Sequence, residues 1–222
     1  MRKILATSIQ LTGPSYAVLI GEFLMLFVAL PLAFRFRVFP FPPIPALWIL
    51  ASYCLWRLLS DPTFDRRLIW NPQPLPQYLP KIVLLFAAFA AAATAGLYFL
   101  RPDLLFNFVR RAPLLWGFVM VLYPIASVYP QGIIYRAFLF HRYRAVFPNT
   151  MLLILASAAA FSFVHIIFRN PIAIVLTFTG GLLFAWRYQQ SGSLFVSSLE
   201  HALYGCLMFT IGLGEYFYKG AR

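Results

Sequence analysis

Five side chains able to bind or react sit inside stretches that otherwise read as membrane helices. Gln131 and Arg136 lie in YPQGIIYRAFLFH (129–141), His165 in FSFVH (161–165), and Glu200 and His201 in SLEHALYG (198–205). An ionisable group at that depth is expensive to hold, which makes each one a site hypothesis. A neutral imidazole can accept a hydrogen bond or ligate a metal. A guanidinium takes anions, and a carboxylate can move protons or hold a cation. Phe161 and His165 are four apart and share a helix face, as do His201 and Gly205. Gln131 and Arg136 are five apart, about 140° round an ideal helix at ~100° per residue, and a kink at Pro130 would bring them closer. Glu200 and His201 are neighbours and cannot both face one point.

The elements that must position these groups are helices in a bilayer. Hydrophobic residues make up 62% of the 222-residue chain and charged residues 11%, with a mean hydropathy of +0.79. A water-soluble domain carries roughly a quarter charged residues. Apolar runs long enough to span take up most of the sequence, at residues 15–34, 46–59, 82–100, 114–140, 151–168, 172–188 and 194–213. The alternating short segments of a membrane β-barrel are missing. The fold expected is all-α, a polytopic transmembrane helical bundle of about seven spans. It forms one membrane domain, with N-terminal spans and interfacial segments at 1–112 and a core carrying the motifs at 113–214.

The net charge of +12 comes in short bursts between the apolar runs, at Arg35 and Arg37, Arg66 and Arg67, Arg110 and Arg111, and Arg142 and Arg144. That is the placement of anchors for anionic lipid headgroups, and nucleic acid is not expected as a partner. Basic residues divide eight against eight between the two sides, which leaves the orientation open. The lead-in MRKILATSIQ is expected to be retained at the interface rather than cleaved, and the tail (Tyr216, Phe217, Tyr218, Lys219) to form an aromatic and basic belt.

The links between spans are polar or proline-rich. FPFPPIP (39–45) separates the first two spans. Residues 60–81, with four prolines in NPQPLPQYLP, read as an irregular interfacial loop, and 102–113 as a short amphipathic helix. Pro124 and Pro130 interrupt the fourth span. Gly180 and Gly181 mark a close helix approach. Glu22 reads as a structural polar contact, His141 as interfacial, and Cys54 and Cys206 as packing residues.

PQGIIYR, FSFVH and EHALYG, in that order inside spans, resemble the CPBP family of intramembrane proteases. This family includes the CAAX prenyl proteases and bacteriocin-processing proteins, and its pattern is EExxxR, FxxxH and HxxxN. The resemblance covers about residues 113–214. It implies an endopeptidase acting on membrane-associated peptides in an inner or plasma membrane. Arg136, His165 and His201 match the family's arginine and histidines. The two glutamates fall at Gln131 and Gly132, and the asparagine at Gly205. In the family the first glutamate is implied to activate water, and the histidines to hold a metal or stabilise the oxyanion. The site implied here therefore has Gln131, Arg136 and Glu200 as catalytic candidates. His165 and His201 are the candidate ligands of zinc or another divalent metal.

The departures matter chemically. An amide has no useful basicity, and losing general-base catalysis costs roughly 10²–10⁴ in rate. Two histidines also fall short of the three protein ligands usual for catalytic zinc. Three readings stay open. One is a peptidase with altered site chemistry, in which Glu200 substitutes as the acid. Another is an inactive relative that binds a membrane peptide or partner. The third is a small transporter relaying charge through Glu22, Arg136 and Glu200. For Glu200 the alternative to chemistry is an ion pair with Arg136 or a bond to a nearby hydroxyl.

Overall fold

A computed structural model describes residues 14–38 and 41–217. The basic lead-in, the start of the proline link, and Tyr218 and Lys219 lie outside that description. The described chain is helical, with no strand. α1 runs Tyr16–Arg35, α2 Pro43–Leu59, α3 Leu75–Leu100 and α4 Asn107–Arg111. α5 is Pro113–Arg142, α6 Thr150–Phe168, α7 Pro171–Ser191 and α8 Leu194–Ile211. Six of these are long and apolar enough to cross a membrane, and α2, at 17 residues, is a shorter apolar helix. The protein is a multi-pass integral membrane protein.

α6, α7 and α8 form the centre, with about 40% of each span window buried against 11% for α3 (44, 39 and 39% in order). Their boundaries follow from capping. Asn149, Asn170 and Ser193 accept from backbone N–H groups in the first turns of α6, α7 and α8 at 2.8, 2.9 and 3.1 Å. Gly192 closes α7 at a φ of 57°, a conformation that favours glycine. The α7–α8 turn is therefore only two residues long, Gly192 and Ser193. Between α6 and α7, a Cβ added to Gly181 would lie 3.0 Å from Ala158 Cα and 3.1 Å from the Phe161 ring. This close approach is the one expected from the Gly180-Gly181 pair, and Gly181 makes it.

α5 crosses the bundle as one helix despite its prolines. It widens into π-turns at Pro124–Val128 and Ile133–Phe138. Proline has no N–H, so the carbonyl one turn back loses its helical donor. Both such carbonyls find other donors. Ala126 O accepts from Trp48 Nε1 at 3.0 Å, and Met120 O from the Cys206 thiol at 3.9 Å. In lipid a backbone group without a partner costs several kcal/mol, and these bonds let the prolines stay. Cys206 thus has a hydrogen-bonding role beyond packing.

Residues 60–81 are more ordered than an irregular loop. α3 begins at Leu75, seven residues before the span expected from hydropathy, because proline is tolerated in a first helical turn. The preceding loop is tied to the core. Tyr129 Oη donates to Ile69 O at 2.7 Å, and Ser193 Oγ to Asn71 O at 2.5 Å. Tyr78 Oη donates to Gln190 O at 2.6 Å. Glu22 pairs with Arg142 at 2.7 Å, fastening α1 to the end of α5. This agrees with the structural role read for Glu22.

Gly181 and Gly117 make a matched test of this packing. A Cβ on Gly117 meets nothing within 4 Å. Gly117→Ala is expected to leave the detergent melting temperature unchanged or slightly raised. Gly181→Leu is expected to lower it by several degrees, because overpacking at a backbone contact costs ~1–3 kcal/mol.

Candidate functional site

The second half of α5 is buried almost without interruption, and Arg136 is among its most buried side chains, at 1% exposure. Its guanidinium stands over the Phe161 ring, 4.3 Å from the centroid, with the Phe184 ring at 5.5 Å. Nε, Nη1 and Nη2 have no hydrogen-bond partner among the described residues. Arg136 lies in the π-turn Ile133–Phe138, and Gln131 in the α-helical turn before it. In a π-turn, bonds run i→i+5, so residues five apart stand nearly above one another. The turn also frees backbone for neighbours, and Ser157 Oγ on α6 donates to Tyr135 O at 2.6 Å.

His165 closes α6. Its backbone N–H bonds back to Ser162 O, three residues away, as the helix tightens to 3₁₀. The Phe161 carbonyl thereby loses its usual donor, and His165 Nδ1 takes the place at 2.6 Å. A carbonyl only accepts, so in the neutral ring Nδ1 carries the proton and Nε2 keeps its lone pair. The shared face expected of Phe161 and His165 is realised, with ring centroids 4.9 Å apart.

His201, on α8, stacks on Phe184 at 4.5 Å and 21°, and meets Phe161 edge-on at 5.3 Å. Phe161 and Phe184 therefore join Arg136 and His201, and Phe161 reaches His165 as well. Arg136, His165 and His201 are brought together around aromatic rings. Gln131 lies one turn away, its Nε2 donating to Ser127 Oγ at 2.9 Å and its Oε1 buried without a partner. Ser198, three residues before His201 on α8, also has a buried unpartnered Oγ. It covers Gly132, where an added Cβ would lie 2.9 Å from Ser198 Oγ and 3.0 Å from Leu194 Cδ1. At Gly205 an added Cβ would run into the Tyr123 ring, with Cζ at 2.6 Å. The space a side chain would occupy at each of these glycines is taken by a neighbour.

Glu200 does not join this group. It is fully buried, and both its oxygens accept from Arg187 on α7, at 2.7 and 3.1 Å. The partner is Arg187, not the Arg136 or hydroxyl partner considered from sequence. The two-residue α7–α8 turn sets Arg187 and Glu200 opposite each other. That hairpin symmetry is the signal in the sequence that would have paired them. Tyr123 and Ser198 were also not foreseen. Ser198 was accessible from its i, i+3 spacing to His201, but Tyr123 depends on how α5 meets α8.

The chain has six carboxylates, all within the described residues. Glu22 is held by Arg142 and Glu200 by Arg187. Asp103 is bound by Arg101, whose guanidinium holds its carboxyl below the usual range. Hydrogen bonds from Thr63 and His141 bring Asp61 down to about 2, with His141 Nε2 at 3.0 Å from it. Asp65 caps the 3₁₀ turn Arg66–Leu68, and Glu215 is exposed in the turn after α8. No carboxylate reaches the Arg136 guanidinium.

This donor set does not fit a catalytic zinc. Among the described residues no three of His, Cys, Asp or Glu gather to hold a metal, and the two histidines share their surroundings with an uncompensated cation. What the arrangement does offer is a set of buried donors facing no acceptor.

Residues 111–207 match the family model described as Type II CAAX prenyl endopeptidase Rce1-like. That stretch is similar to Rce1-like domains. It spans all three motifs, and the likeness to the CPBP group holds across them. No curated protein and no solved structure matches the chain.

Two substitutions separate structural charge from functional charge. Glu200→Gln is expected to destabilise the protein by roughly 3–5 kcal/mol, since it leaves Arg187 buried and unpaired. Arg136→Met removes a charge with no partner, so the melting temperature is expected to hold or rise. Thermal unfolding in one detergent measures both.

Proposed function

We propose that this protein uses the Rce1-like site to bind a peptide segment within the bilayer and does not hydrolyse it. The observation that carries the reading is the placement of the six carboxylates. None stands beside Arg136, His165 and His201 to take a proton from a water molecule. Gln131 can orient a water or bind a peptide amide, but it cannot act as a base. Ser198 and Leu194 fill the space beside Gly132, and Tyr123 fills that beside Gly205, so the site differs from the family pattern in shape as well as in charge. Arg136 remains as a donor for a backbone carbonyl, and His165 Nε2 as an acceptor for a peptide N–H. A peptide ligand is inferred from the family's endopeptidase chemistry.

One observation favours a second reading, an intramembrane endopeptidase with altered chemistry. With Nδ1 committed to the Phe161 carbonyl, His165 presents Nε2 as an acceptor that could take the proton in place of a glutamate.

Mass spectrometry of peptides incubated with proteoliposomes distinguishes the two. The set should include prenylated and unprenylated carboxyl-terminal peptides. Wild type is expected to yield no product above that of His165→Ala, while retaining bound peptide. Gln131→Glu returns a carboxylate at the family's first glutamate position and is expected to be the variant in which slow cleavage first appears. Cleavage by wild type that is lost in His165→Ala would replace the binding reading with the endopeptidase.

A further inference from the structure

We propose that Arg136 anchors a buried binding site for a carboxylate carried on an apolar chain. The inference deepens the binding reading and rests on it in one respect, that the ligand enters this seam and stays intact.

A guanidinium taken out of water costs several kcal/mol unless an opposite charge and hydrogen bonds replace its hydration. The ring beneath it at 4.3 Å offsets part of that cost. The cation–π contact uses the face of the guanidinium, however, and leaves every N–H around its edge unsatisfied. Those edge donors form the planar fork that matches a carboxylate with two parallel hydrogen bonds. Two more unpartnered polar atoms lie along the same seam. Ser198 Oγ is one, and it can donate. The other is the Gln131 amide oxygen. Turning that amide over lets Ser127 donate to the oxygen and presents the amide N–H₂ in its place.

Charge selects the ligand. A single negative charge neutralises Arg136, whereas a phosphate dianion would leave an uncompensated charge in the bundle. Arg136 also lies six residues along α5 from the Arg142–Glu22 pair, roughly 9 Å at ~1.5 Å per residue. An apolar slot of about 70 Å³ lies between α1 and α2, lined by Leu26, Leu30, Leu47, Leu50, Tyr135 and Val164. Its Tyr135 ring meets Phe161 at 5.5 Å, on the ring that carries Arg136. Tyr135 and Phe161 thus connect the wall of the slot to the ring that carries Arg136. The carboxylate can come from a fatty acid or from the carboxyl terminus of a hydrophobic peptide.

The test is thermal unfolding of the full chain in a neutral detergent. The probes are a medium-chain fatty acid against the alcohol of equal length, and a hydrophobic peptide with a free carboxyl terminus against its amide. A carboxylate ligand at about a hundredfold over Kd is expected to raise the melting temperature by roughly 5–10 °C, and its neutral match to raise it far less. Which pair shows the difference identifies the source. Arg136→Met is expected to abolish the difference. Gln131→Glu keeps the arginine but supplies an internal carboxylate, and is expected to weaken binding at least tenfold. If acid and neutral match shift wild type equally, or if the difference survives in both variants, the proposal is overturned. Product seen by mass spectrometry in the same samples would instead overturn the non-hydrolytic reading, and would leave carboxylate binding to be judged on the melting data.

Discussion

Inside a bilayer a polar group finds its partner within the protein or goes without one, and most of this chain is arranged around that constraint. The carbonyls freed by Pro130 and Pro124 are met by Trp48 and Cys206. The carbonyl freed at the end of α6 is met by His165, and Glu200 is clamped by Arg187. Among the buried groups left without a partner (the Gln131 amide oxygen and the Tyr143 and Ser198 hydroxyls are others), the Arg136 guanidinium is the charged one. It is as buried as any of these groups, and three nitrogens face no acceptor. A buried charge without a partner inside a membrane bundle is a site hypothesis in its own right.

The aromatic rings make this charge tolerable and also give the site its geometry. Phe161 is fixed from behind by Gly181, whose lack of a side chain lets α7 come up against α6. That ring supports Arg136 on its face and the two histidines at its edges. Phe184 adds a stacked contact to His201 from α7. Four spans, α5 to α8, are thus coupled through two rings.

The likeness to the family lies in the order of the motifs, and the differences lie at three positions within them. The Rce1-like stretch keeps the arginine, the FxxxH pair and the second histidine in the order the motifs require. The positions that would carry carboxylates and an asparagine now hold Gln131, Gly132 and Gly205, and Ser198, Leu194 and Tyr123 occupy the adjoining space.

Composition and hydropathy were enough to settle an all-α membrane bundle, because long apolar segments in lipid have few structures open to them. Spacing placed His165 on the Phe161 face, and motif order singled out Arg136, His165 and His201. The early start of α3 was hidden because prolines in a first turn look the same in sequence as prolines in a loop. The fate of Glu200 was hidden for a different reason. Its neighbour His201 and the arginine at 136 drew it toward the site on paper, but adjacent residues on a helix diverge by ~100°, and only the α7–α8 hairpin determines that the other direction leads to Arg187. Tyr123 filling the space at Gly205, and Arg136 left without a partner, are properties of how α5, α6 and α8 meet. Residue types alone established that a buried cation and two imidazoles exist, and tertiary packing decided that no carboxylate reaches them.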